Sequence, residues 1–380
     1  MKTNKMCAIF ANKHEYNQLR PLTDKRSLST LYYAGKYRII DFPLSSIVNA
    51  GINNVYTLIN QEKVRSYFDH IGGGKEWGLD TIGSYDYLDS YQSMLEQKAR
   101  GENYFDNIIT FLETANLPYT VFIGNKMIGN FDLRSMLHFH QENNNKITAA
   151  FKRVDLSNVA PDDQIFILDN NNTVLATQQA IDSQKLETYN LALNIFIVNT
   201  DWLISELKKA QRSGTSTDIA KRLGELAAKY RVSAYEYTGY LRNIYNIKSY
   251  YDANMDMLNK KKRDLLLYGN QKIITRIRNE VGTYFGVDSK AVNSMFATGS
   301  KIDGEVRNSI ISRRVKIENK ALVKDAIVMS NCQIETGSVV ENAIIDKNSV
   351  IKKNVTVKGT KDHPVIVTKG SIVESNLINR

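Results

Sequence analysis

"RNSIISRRVKIENKALV", "KDAIVMSNCQIETGSVV" and "ENAIIDKNSVIKKNVTV" follow one another without a gap from Arg307 to Val357. Each block of 17 residues holds three copies of one motif: a small or apolar residue, any residue, then Ile or Val. The aliphatic positions are Ile311, Ile317, Val323, Val328, Ile334, Val340, Ile345, Ile351 and Val357, with spacings of 6, 6 and 5 that repeat. Residues two apart on a strand point to the same face. Six residues therefore make one short strand and a corner, and three such sides close a triangular coil. Positions 17 apart then stack, so Ile311, Val328 and Ile345 should form one column. A helical period of 3.6 is missing from the blocks. The pattern predicts a parallel β-helix whose hexapeptide motifs are of the left-handed kind.

Cys332 occupies one of the inward small-residue slots, which calls for a buried small hydrophobe. Many hexapeptide coils are acyltransferases that use a histidine. Here only His363 lies nearby, beyond the clean repeats, so the coil reads as a packing and assembly element.

Upstream, apolar strands alternate with helical patterns. Expected strands are Met6–Phe10, Val55–Asn60, Tyr119–Gly124, Ile147–Val154 and Leu191–Val198; expected helices are Leu133–Asn144, Asp201–Arg212 and Asp218–Tyr230. Such alternation implies an α/β fold with a mostly parallel Rossmann-like sheet. Ligands bind such sheets beyond the carboxyl ends of the strands. Residues 1–255 are assigned to this α/β domain, 256–295 to a connecting segment and 296–380 to the β-helix.

The bulk composition narrows the class. A chain of 380 residues with 42% hydrophobic and 24% charged residues is expected to be globular, with two domains. No run of about 18 apolar residues predicts a membrane span. The start, Met1-Lys2-Thr3-Asn4-Lys5, lacks the longer apolar region of a signal peptide. Two distant cysteines, Cys7 and Cys332, make no disulfide framework, and a cytoplasmic location is expected. The net charge of +10 is compatible with an anionic ligand or partner. The compact basic run Lys260-Lys261-Lys262-Arg263 reads as a solvated helix face, and no nucleic-acid partner is expected. His138 and His140, two apart on one helix, face different ways and do not make a metal pair.

After the first strand comes Asn12-Lys13-His14-Glu15-Tyr16-Asn17-Gln18, where a nucleotide site would need glycines. "GKYRIIDFPLSSIVNAGI", Gly35 to Ile52, together with "RPLT" at 20–23, "SYYDANMDML" at 249–258 and the coil, resembles the glucose-1-phosphate adenylyltransferases, or ADP-glucose pyrophosphorylases. Within that family the chain is similar to the GlgD-type subunits of Gram-positive bacteria, companions of the catalytic subunit. The family joins ATP and glucose 1-phosphate into ADP-glucose and pyrophosphate, with magnesium, backbone amides and basic side chains bearing the charge.

The resemblance also marks what is missing. The family loop A-G-G-x-G-x-R-L-x-P-L-T keeps Ala11 and Pro21-Leu22-Thr23, but its first two glycines fall on Asn12 and Lys13. Side chains there crowd the approach to phosphate. The loop lysine falls on Leu28. The aspartates that hold metal in G-D-H and in W-x-D-x-G-T fall on Asn125 and Asn243, and Lys126 follows the first. Magnesium favours anionic oxygen, so no metal is expected in this chain, only in its catalytic partner. The sugar motif E-x-K-P is replaced by "VLATQQAIDSQ", and only Arg100-Gly101 remains of R-G-T-A-D-A. Loss of one such group often costs about 3 kcal/mol of transition-state stabilisation.

Lys25, beside Arg26, matches a lysine the family uses for sugar-phosphate activators, with Lys36 and Arg38 nearby in sequence. The expectation is a non-catalytic regulatory or structural subunit. It would form a hetero-oligomer, a tetramer by resemblance, with the catalytic adenylyltransferase of glycogen synthesis. An active enzyme with unusual ligands and a stand-alone sugar-phosphate sensor are the rivals.

Overall fold

A computed structural model describes residues 5–80, 85–182, 186–269 and 271–379. The Met1–Asn4 start and the last two residues of the 174–184 stretch lie outside these. The chain divides into two compact units: one contains residues up to His14, Ile40–Asn243 and Gly269–Ile274; the other contains Glu15–Ile39, Ile244–Tyr268 and Thr275–Arg380. Among the described residues no helix is long and apolar enough to cross a membrane.

The first unit is built on β1 (Met6–Asn12), every residue of which is buried. β1 lies in the middle of a sheet, parallel to β2 (Asn54–Ile59) on one side and β4 (Tyr119–Gly124) on the other, with β3 (Tyr85–Ser90) parallel to β2 at one edge. Successive side chains of β1 serve opposite faces. Cys7, Ile9 and Ala11 pack with Phe122, Phe196 and Leu203; Met6, Ala8 and Phe10 pack with Leu44, Ile123 and Ile195. Two covered faces explain why the strand reads as an unbroken apolar run.

Beyond β4 the sheet changes direction. β5 (Met127–Ile128) is a short outlying strand; β6 (Ile147–Val154), β7 (Gln164–Leu168) and β8 (Val174–Gln179) lead to the long β9 (Tyr189–Asn199), which is antiparallel to β4, β6 and β7. The parallel arrangement thus holds for β3-β2-β1-β4. The strand expected at Leu191–Val198 runs the other way, fed by the antiparallel β7–β8 hairpin. Helices α1 (Asp41–Asn49), α5 (Leu133–Glu142), α6 (Thr200–Arg212) and α7 (Ile219–Lys229) come close to the expected bounds where these were read. The intervening helices are α2 (Val64–Ile71), α3 (Tyr91–Ala99) and α4 (Asp106–Ala115). His140 is buried between Thr148 and Asn199, while His138 is exposed beside Glu142. The two rings therefore share no site.

The second unit contains the coil. Ile317 stacks in parallel on Ile334 and that on Ile351; Val323, Val340 and Val357 make a second column; Ile311, Val328 and Ile345 make the third. The register is the one the 17-residue spacing requires. The columns extend in both directions, from Tyr284 to Ile378. Ile345 stacks against Val367, so the last turn carries a longer loop, and the exposed His363 sits in it.

The corners of the coil are made by left-handed residues, also in columns: Asn308, Asp325 and Asn342 have φ of 44°, 48° and 46°; Arg314, Asn331 and Asn348 have 55°, 62° and 61°; Lys320, Gly337 and Asn354 have 60°, 72° and 60°. Asn and Asp tolerate this region because a short polar side chain bonds locally. Cys332 fills its inward slot and directs Sγ to the Asp346 carbonyl; burial pushes its thiol up to about 12 and that of Cys7 up to about 11. Both cysteines are free.

Residues 15–39 and α8 (Ile247–Met255) belong to this unit. Gly35 has φ of 77°, and a Cβ there would lie 3.3 Å from the Ile311 carbonyl oxygen, so the family string needs glycine for close backbone approach. Tyr33 donates to the Ala253 carbonyl and the Asn254 side chain accepts from Ala34 N–H. Leu28 is fully buried in a short turn, Leu28–Thr30.

Candidate functional site

β1 and β4 are adjacent and parallel, with Ala11 opposite Gly124. Their carboxyl ends therefore deliver Asn12, Lys13 and His14 beside Asn125 and Lys126. Asn125 Nδ2 donates to Asn12 Oδ1 at 2.8 Å, and Asn125 Oδ1 lies 3.1 Å from His14 Nδ1. An amide oxygen only accepts, so the His14 proton sits on Nδ1 and its Nε2 is an acceptor. Asn12 and Asn125 are both buried. The loop positions that glycine would keep open are thus tied together by a chain of side-chain hydrogen bonds.

Lys126 turns the other way. β5 pairs with β10 (Arg242–Asn243), placing Asn243 opposite Met127 and one residue from Lys126. Asp163, just before β7, joins them. Its Oδ1 accepts from Lys126 Nζ; its Oδ2 accepts from Ala160 N–H at 2.7 Å and from Asn243 Nδ2 at 2.6 Å. Asn243 Nδ2 also donates to the Asn158 carbonyl at 3.1 Å. Lys126 and Asp163 side chains are only 2% and 1% exposed. Burial pushes the Asp163 carboxyl above its ordinary value, while the Lys126 ammonium and the Ala160 N–H pull it back.

A third pair lies at the pocket wall. Lys13 Nζ is 3.4 Å from Asp218 Oδ1 and sits 4.6 Å above the Tyr91 ring. Asp218 caps α7, accepting from Lys221 N–H. Although burial opposes it, Lys13, the Lys221 N–H and His14 hold the Asp218 carboxyl below its ordinary value. These groups, with Tyr91, Gln164, Gln179, Asn194 and the rest of Lys221, line a pocket of about 300 Å³.

The sequence-expected positions separate in the two units. Asn12, Lys13, Asn125 and Asn243 gather at this end of the first unit, whereas Leu28, Lys25 and Arg26 lie in the second. Arg26 is 4% exposed and its Nη2 donates to both oxygens of Asp346, at 2.8 and 2.9 Å. Lys25 is exposed and lines a separate pocket of about 210 Å³ with Asp24, Thr368 and Lys369. Arg100 is exposed and bonded to Glu102. Sequence reasoning missed Asp163, Asp218, Tyr91 and Asn194. The one available signal was Lys126 itself: a lysine two residues past a largely buried strand calls for a carboxylate, and Asp162-Asp163 precedes the next apolar run.

Magnesium, implied by the fold, can be tested against these donors. Asn125 and Asn243 offer only neutral amide oxygens, that of Asn125 already bonded to His14, and the Lys126 ammonium follows the first and shares Asp163 with the second. Among the described residues no group of three or more His, Cys, Asp and Glu side chains could hold a metal. The donor set does not fit a hard divalent cation.

Burial, followed by Lys126 and Lys13, pushes the His14 ring down from 6.5 to about 4, against the opposing pull of Asp218 and the Asn125 hydrogen bond. The unfolded ring then takes up a proton as pH falls below its ordinary value, and the native ring does not until about 4. Stability contributed by the neutral ring is present above about pH 6.5 and is lost as pH falls through this window, by at most about 2 kcal/mol at about pH 5. His14→Asn, neutral at every pH, should shrink the difference in Tm between about pH 7 and about pH 5. An undiminished difference would mean that His14 is protonated in place.

A sheet with its pocket beyond the strand carboxyl ends, followed by a hexapeptide coil, defines a nucleotidyltransferase-type protein with a β-helix domain. Residues 17–161 match the nucleotidyl transferase family, and residues 281–378 match the GlmU-like C-terminal hexapeptide family. The chain is a homologue of glucose-1-phosphate adenylyltransferases and of GlgD, as the Gly35–Ile52 string implies. It is 26% identical to "Glycogen biosynthesis protein GlgD" of Bacillus subtilis over 100% of both chains. It is 27% identical to a "Glucose-1-phosphate adenylyltransferase" of Mycoplasma mobile over 86% of each chain. With one from Clostridium perfringens it shares 28% identity over 84% of this chain and 82% of the relative.

Proposed function

We propose that this chain is a non-catalytic, GlgD-type subunit that assembles with a catalytic glucose-1-phosphate adenylyltransferase and regulates or supports it. The observation that carries this reading is the Lys126–Asp163–Asn243 network. Where the family reaction needs anionic oxygens around a divalent cation, this chain has an internal ammonium paired with its own carboxylate. Such a site stabilises the fold and leaves no charge for a departing pyrophosphate. Retention of the coil favours a role in assembly over that of a lone sensor.

Effector response would enter through the second unit. Lys25 and Lys369 border one pocket, and Lys347 lies in the same basic region. Burial, then Lys369, Arg26 and Arg38, hold the Lys347 ammonium below its ordinary value, opposed by Tyr32. Uncompensated positive charge of this kind favours a phosphorylated effector. Arg26, bound to Asp346, positions the segment, and Lys25 and Lys369 are exposed cations at the pocket.

The test uses this chain alone, the catalytic chain alone and the two co-expressed. ADP-glucose formation should be near background for this chain, and raised or differently regulated in the mixture compared with the catalytic chain. In the mixture, Lys25→Ala should blunt activation by sugar phosphates with basal turnover retained. Brisk turnover by this chain alone, or no association, overturns the proposal.

A further inference from the structure

The charges around the pocket of the first unit cancel. Lys13, Lys126 and Lys221 face Asp162, Asp163 and Asp218, and the two buried lysines each have an aspartate partner. A phosphate group meets no net positive field here, unlike the cationic cradles that hold phosphorylated ligands.

Apart from the exposed Lys221 and Asp162, the polar groups left over are uncharged. Asn194 is 9% exposed, lines the pocket and makes no side-chain hydrogen bond among the described residues. Its φ of 54° holds the amide at this spot beside Gly124, where a Cβ would come within 3.3 Å of Asn194 Cβ. Gln179, exposed, also lines the pocket, and its amide has no hydrogen-bond partner among the described residues. His14 adds the acceptor Nε2, since its proton is directed to Asn125. The set mixes donors and acceptors. A phosphate only accepts, so the amide oxygens and Nε2 oppose it. A hydroxyl both donates and accepts, and satisfies all three.

The geometry points to a binding site for an uncharged, polyhydroxylated ligand, a free sugar or the end of a short oligosaccharide, that rejects its phosphorylated forms and requires no metal. This selectivity differs from that of a sugar-phosphate or nucleotide site, and it rests on the reading of the pocket as catalytically silent. The volume of about 300 Å³ is at the small end of ligand pockets.

The test is calorimetric titration of the full chain with glucose, maltose, glucose 1-phosphate and ATP, each with magnesium and with chelator. Glucose or maltose should bind, unaffected by chelator, and glucose 1-phosphate and ATP should bind at least about tenfold more weakly or not at all. Gln179→Ala, at an exposed position, and Asn194→Gly, which keeps the left-handed backbone, should each weaken the neutral sugar about tenfold, the size of one lost hydrogen bond. Both should leave Tm near the parent value. Tighter binding of the phosphorylated ligands, a requirement for magnesium, absence of saccharide binding, or parent-like affinity in both folded variants overturns the inference. The activity assay separates the two claims: a chain that turns over substrate sinks the silent-subunit reading, and one that is silent yet binds no sugar sinks only this one.

Discussion

Asp163→Ala lowers the stability of this chain by about 3–5 kcal/mol, the cost of breaking a buried ion pair from one side. The Lys126 ammonium, 2% exposed, would lose its buried carboxylate partner, and Asp162, at 4.0 Å, is itself 55% exposed. Ala160 N–H would also lose this acceptor, and Asn243 Nδ2 would keep only its bond to the Asn158 carbonyl among those described. Lys126→Met should cost less, because Asp163 keeps both N–H donors and burial already raises its carboxyl toward the neutral form. Replacing both, Lys126→Met with Asp163→Leu, should recover much of the loss, because no uncompensated charge then stays buried. With Asp163→Leu alone added to close the cycle, unfolding free energies from denaturant titrations of the parent, the two singles and the double give the coupling energy. If Asp163→Ala shifts the midpoint no more than an exposed substitution, the network is not a structural device, and the argument for a silent pocket loses its main support.

How much of this was legible in advance follows from how far apart the interacting residues are in the chain. The coil encodes its own neighbours: the partner of Ile334 is found seventeen positions away in either direction, so periodicity and register are the same information. β1 was legible because both its faces are buried, and Asn12, Lys13 and Asn125 could be placed at the carboxyl ends of neighbouring strands, where sheet ligands bind. Asp163 could not be placed, because its link to Lys126 and Asn243 depends on how the β5–β10 pair and the approach to β7 come together in space. No local pattern marks that meeting. The left-handed corner columns were hidden for another reason. Their residues share a backbone conformation rather than a side-chain property, and Arg314 and Lys320 do the same job as Asn331 and Asn354.

Arg26 shows the same limit, and gives the second large effect. It is separated from Asp346 by 320 residues, yet their side chains are 4% and 3% exposed and share two short hydrogen bonds. Asp346 Oδ1 also accepts from Lys347 N–H at 2.6 Å, so the carboxylate is fixed to the coil on one side and holds the 15–39 segment on the other. Arg26 Nη1 donates to Met329 Sδ at 3.5 Å, a weak acceptor that cannot stand in for the carboxylate. Asp346→Ala strands a buried guanidinium that cannot shed its proton, and should cost about 3–5 kcal/mol. Most of that loss should be local. The stacked Ile317, Ile334 and Ile351 column needs nothing from Arg26, so its amides should stay protected while exchange across residues 15–39 accelerates. Arg26→Lys should behave like a loss, since an ammonium cannot reproduce the planar fork. Because Lys25 adjoins Arg26, a released segment should also lose sugar-phosphate response in the mixed complex. Unchanged protection across 15–39 in Asp346→Ala would mean that the Tyr33 and Ala34 bonds to Ala253 and Asn254 hold the segment unaided.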